Sequence, residues 1–102
     1  MTELTDIEIS IKVAKIKGFN PIINDGILTI NRFENYIEEY NPHSNEENCQ
    51  LRDEFEVVIS YRDFFAYIWI EKERKAIEVS FVKDGNIHKA VLLAIIESKG
   101  DL

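Results

Sequence analysis

The residues from Phe64 to Ile70 are apolar on both sides of an alternating pattern, and this constrains the fold more than any other feature. Phe64, Ala66, Ile68 and Ile70 fall on one face of an extended segment, and Phe65, Tyr67 and Trp69 on the other. A strand apolar on both faces normally lies in a sheet covered on both sides. Its neighbours fit that setting. Phe55, Val57, Ile59 and Tyr61 alternate before it, and Ile77, Val79 and Phe81 after it, with short breaks at Arg62-Asp63 and at Glu71 to Lys75. Strands joined this closely pair as a three-stranded antiparallel meander.

The segment that follows must bury itself against that sheet. Asp84-Gly85-Asn86 closes the meander and caps a helix carrying Ile87, Ala90, Val91, Ala94 and Ile95 on one stripe. Leu92, Leu93 and Ile96 widen the stripe, and Gly100 ends the helix. At the other end of the chain, Thr5 and Glu8 form a capping box, and Ile7, Ile11 and Ala14 recur at helical spacing. Lys12, Lys15 and Lys17 gather where a helix C-terminus favours cations, and Gly18 supplies a left-handed cap. The strand-like alternation of Ile7, Ile9, Ile11 and Val13 competes with these signals, but caps at both ends predict a helix over 6–17. After the Phe19-Asn20-Pro21 break, Asn24-Asp25-Gly26 reads as a turn or a helix cap. Ile30, Phe33, Ile37 and Tyr40 then predict a second helix that ends at Asn41-Pro42, although Ile27 to Ile30 also suits a short strand. Residues 41–52 read as a mobile acidic loop. The expectation is a single α+β domain over residues 1–102, in the order ααβββα. The N-terminal helices would cover the second face of the meander, giving α/β/α layers.

This arrangement resembles the small bacteriophage and prophage proteins known as phage α-β-α sandwich domains. The likeness rests on Ile11-Lys12-Val13-Ala14 and Gly18-Phe19-Asn20-Pro21, and on the alanine-containing stretch from His88 to Glu97. It covers the two ends of the chain and not the region from Ile22 to Asp53. The resemblance implies a phage accessory protein and assigns no site residue, because the family carries no agreed activity.

The charge is as local as the resemblance. Glu34, Glu38, Glu39, Glu46, Glu47, Asp53, Glu54 and Glu56 stand in one stretch against the single base Arg52, and elsewhere acids and bases balance, so the net charge of −7 belongs to that stretch. Such a block suits a basic protein partner, or imitates a row of phosphates, and it repels nucleic acid and anionic membrane. The same carboxylates on a solvated helix face and loop would do nothing more than hydrate. The aromatic set Phe65, Tyr67 and Trp69 has two readings of its own: core beneath the N-terminal helices, or an exposed interface that makes a homodimer.

Other chemistries find little footing. Cys49 is the one cysteine, so there is no internal disulfide, and its acidic neighbours favour the neutral thiol over the nucleophile. His43, Glu46, Glu47 and Cys49 lack the second ligand pair that a structural zinc site takes, and only His88 remains elsewhere. His88, in the first turn of the last helix, has no serine or cysteine placed to pair with it, and an exposed helix histidine is the plainer reading. The acidic stretch from His43 to Cys49 has no turn glycine for calcium. Phosphate-binding glycine loops and Ser-His-Asp sets do not occur. The polar, acidic opening from Met1 to Asp6 is unlike a secretory signal, and the longest apolar run, Ala90 to Ile96, is too short to span a bilayer. These features predict a non-enzymatic protein without cofactor or metal, in the cytoplasm of a bacterial host. Its expected work is binding another protein with a basic surface, in the manner of an anti-CRISPR-like inhibitor of a host defence or regulatory complex. The alternative is an assembly protein that homo-oligomerises through its aromatic sheet face.

Overall fold

The computed structural model describes residues 4–33 and 36–100. It is α+β, with three helices and two three-stranded antiparallel sheets. The helix–helix–three strands–helix order is present, with a further sheet inserted between the first two helices.

Helix α1, Asp6–Ile16, begins at the expected capping box. The Thr5 N–H donates to Glu8 Oε1 at 2.9 Å, and the Glu8 N–H donates to Thr5 Oγ1 at 3.2 Å. Its other end is a Schellman turn: Gly18 has φ +84°, the Phe19 N–H reaches the Ala14 carbonyl at 2.9 Å, and the Gly18 N–H reaches that of Lys15 at 3.0 Å.

The next segment corrects the predicted second helix. Residues Ile22–Asn24, Ile27–Phe33 and Tyr36–Glu39 are strands β1, β2 and β3, paired in that order. Asn24 pairs with Ile27 around a two-residue turn in which Asp25 and Gly26 both have positive φ, 54° and 79°. An Asp-Gly pair in this conformation matches the twist of a hairpin, and the β-branched run on either side completes it. The helical spacing of Ile30, Phe33, Ile37 and Tyr40 was therefore a coincidence of residues in β2, in β3 and just after β3.

The second helix lies where the mobile loop was expected. Helix α2, Asn45–Glu54, starts at Ser44, whose hydroxyl accepts the Glu47 N–H. Only Asn48 and Leu51 of this helix are buried, so it shows no apolar stripe in the sequence. The meander follows as anticipated, with β4 Val58–Ser60, β5 Phe65–Ile70 and β6 Lys75–Ser80 in consecutive antiparallel register. Helix α3, Ile87–Ser98, has the Asn86 side chain as its cap.

Packing places the helices inside and the sheets outside. Helix α3 lies on β5 and β6 and also meets α1 and α2, so Ala90, Val91, Leu92, Ala94, Ile95 and Ile96 are all buried. Helix α1 serves two cores at once. Ile9 and Val13 join the core around α3, and Ala14 joins Leu28, Ile30 and Tyr40 beneath the first sheet. The α/β/α cover is accordingly corrected. Because α1 and α2 pack against α3, neither is placed on the second face of the meander, and Trp69 there is 53% exposed.

Candidate functional site

Two surfaces emerge, one anionic and one aromatic. The anionic one forms because the Asn41-Pro42 turn brings the end of β3 beside the first turn of α2. Glu38 and Glu39 from β3, and Glu46 and Glu47 from α2, line a shallow depression of about 290 Å³ with Asn41 and Ser44. Acids in the first turn are also favoured by the helix dipole.

The structure does not gather the whole acidic block. Asp53 and Glu54 lie at the opposite end of α2, about 10 Å along its axis from Glu46 and Glu47. Glu54 is engaged with Lys17, and Glu56 follows the helix in a left-handed conformation. Glu34 lies outside the described residues. Among the described residues, four acids of the block, Glu38, Glu39, Glu46 and Glu47, share one depression.

The histidines are structural ties. His43 Nε2–H donates to the Asp6 carbonyl at 3.2 Å, and His88 Nδ1–H donates to the His43 carbonyl at 2.9 Å. Buried Asn48 donates through Nδ2 to the carbonyls of Pro42 and His88, at 3.0 and 3.1 Å. Together these bonds hold the N-terminal ends of α1, α2 and α3 to one another. His88 is a half-buried connector, which corrects the exposed position read from the sequence. Sequence reasoning missed Asn48, whose signal was an amide one turn after a Ser44–Glu47 capping pattern. Cys49 is exposed, with only a long Sγ contact of 3.9 Å to Asn45. Among the described residues, no group of three or more His, Cys, Asp or Glu side chains is placed to hold a metal ion. No helix among them is long and apolar enough to cross a membrane.

The aromatic surface is the outer face of the meander. Register sets it out in rows: Ser60, Phe65 and Ser80 form one, Val58, Tyr67 and Glu78 the next, and Trp69 with Ala76 the last. Phe65 and Tyr67 are half-buried against each other, with ring centroids 5.8 Å apart. Trp69 Nε1–H donates to Glu71 at 2.6 Å, and Val58 is 46% exposed. A shallow depression of about 450 Å³ crosses this face, lined by Phe65 and Tyr67 together with Val58, Ser60, Ala76 and Glu78. Of the three aromatic residues, Phe65 and Tyr67 are thus half-buried and Trp69 is exposed.

No protein-family model matches this chain, and no curated protein or solved structure is detectably similar to it.

Proposed function

We propose that this protein is a non-catalytic phage or prophage accessory protein that works by binding another protein through a basic surface on that partner. The observation that carries this reading is the convergence of Glu38, Glu39, Glu46 and Glu47 from two elements on one open depression. Four carboxylates lining one depression create a negative field that steers a basic partner toward the site. The likeness of the chain's two ends to phage α-β-α sandwich domains supplies the setting, a block on a host defence or regulatory complex.

The test compares the protein with a variant carrying Gln at positions 38, 39, 46 and 47, each used as bait in lysate of the native bacterial host. The expected result is a basic complex retained by the unmodified protein, released at high salt, and absent from the variant. Exposed ion pairs contribute about 0.2–1 kcal/mol each, so losing four weakens binding by roughly 4- to 1000-fold. Equal capture by both proteins, unaffected by salt, would show that the acidic depression is not the contact.

A second reading, assembly through the aromatic sheet face, is favoured by the exposure of Trp69 and Val58 on a face without a helix.

A further inference from the structure

We propose that the outer face of the meander pairs with the same face of a second copy of this chain, about a twofold axis that sets each Tyr67 against the other copy's Glu78. This rests on the second reading above and names its partner and its geometry.

Three observations lead to a second copy as the occupant. The first is charge. From Val57 to Phe81 there are four acids, Asp63, Glu71, Glu73 and Glu78, and four bases, Arg62, Lys72, Arg74 and Lys75. The meander is neutral, while the −7 resides in residues 34–56. A strongly basic or acidic partner finds no matching field on this face. An identical copy meets no net repulsion there, and the acidic depression contains no meander residue.

The second observation is shape. The large rings stand along β5, and smaller residues flank them: Ser60 and Ser80 beside Phe65, and Ala76 beside Trp69. A ridge bordered by troughs is complementary to itself, and facing sheets pack by interdigitating such rows.

The third is the hydrogen-bonding inventory. Tyr67 and Glu78 are cross-strand partners in one row, and neither side chain makes a hydrogen bond among the described residues. A phenol donor beside a carboxylate acceptor is the arrangement that an isologous contact uses twice, since residue i then meets j and j meets i. The two O–H···O⁻ bonds would be charge-assisted.

Area bounds the contact. Strands of three, six and six residues give a footprint of about 240 Å², and with side-chain relief roughly 450 Å² of accessible surface per copy. The total of about 900 Å² falls in the range of weak, transient interfaces, so the expected dimer is micromolar or looser.

Trp69 is the one tryptophan, so its fluorescence reports this face alone. The experiment follows sedimentation equilibrium and tryptophan emission of the full chain from about 1 to about 500 μM, a range that brackets micromolar affinity. Dimerisation is expected, with a blue-shifted emission and reduced acrylamide quenching over the same range. Tyr67→Phe and Glu78→Gln each alter both symmetric bonds, and each is expected to weaken the dimer about 10- to 100-fold with an unchanged circular dichroism spectrum. A dimer whose tryptophan stays solvent-exposed, or whose affinity ignores both substitutions, overturns the proposed geometry while leaving assembly itself standing. A strict monomer at the highest concentration overturns both, and the acidic-depression reading is untouched.

Discussion

Replacing Asn48 by alanine tests whether residues 45–54 are a docked helix or the solvated loop that their composition suggests. Asn48 is fully buried and donates to two carbonyls, one preceding α2 and one on α3. Its Oδ1 has no hydrogen-bond partner among the described residues, so it already carries a desolvation cost. Alanine removes two bonds worth about 1 kcal/mol each and leaves two carbonyls less satisfied, a further 1 kcal/mol or more. Against this, losing the orphaned oxygen returns about 1 kcal/mol, and alanine's helix propensity returns about 0.6 kcal/mol. The balance is a destabilisation of about 1.4 kcal/mol, or roughly 7 °C in Tm for a chain of this size. Asn48→Asp keeps the volume but turns the donor into a charged acceptor facing both carbonyls, and it is expected to cost more than alanine. Urea denaturation followed by circular dichroism measures both. Faster hydrogen exchange confined to α2 would locate the loss. If both variants fall within about 0.5 kcal/mol of the unmodified protein, α2 is not anchored by this amide and the account of it is wrong.

Two further outcomes follow from the caps of α1. Gly18 has φ +84° with open space around its Cα, so Gly18→Ala adds backbone strain without a clash, and a loss of about 1 kcal/mol is expected in the same denaturation assay. The Thr5 backbone N–H, then its hydroxyl and the charge of Lys12, hold the Glu8 carboxyl below the ordinary glutamate range. With the folded value depressed, this contribution to stability is present above the unfolded pKa of about 4.5 and is lost as pH falls through the folded value. Glu8→Gln should therefore remove part of the acid sensitivity of Tm below about pH 4.5, while a pH profile identical to the unmodified protein's would remove Glu8 from the list of contributors.

Helix α1, the meander and α3 were legible because their signals are local. Thr5, Glu8 and Gly18 mark a helix by its ends, and the alternation from Val57 to Phe81 marks strands by period. The first sheet was misread because Ile30, Ile37 and Tyr40 also fit a helical period, and strand pairing depends on residues distant in sequence. The deciding clue was Asp25-Gly26, whose paired positive φ values suit a hairpin. Helix α2 was unreadable for a different reason. With only Asn48 and Leu51 inward, it is fastened by its cap, one amide and one leucine, and none of these leaves a periodic trace. The acidic site was half legible: the residue types were plain, but a turn and a helix start decided which four would meet.

The amino-acid order alone determined that the central strand of the meander is apolar on both sides, that the last helix is apolar almost all round, and that the charge is confined to one stretch. Only the tertiary structure decided which of those apolar surfaces meets the rest of the chain. Helices α1 and α2 settled against α3, leaving Phe65, Tyr67 and Trp69 on the outside. Periodicity records that a face must avoid water, whereas the identity of its cover depends on contacts between segments far apart in the chain.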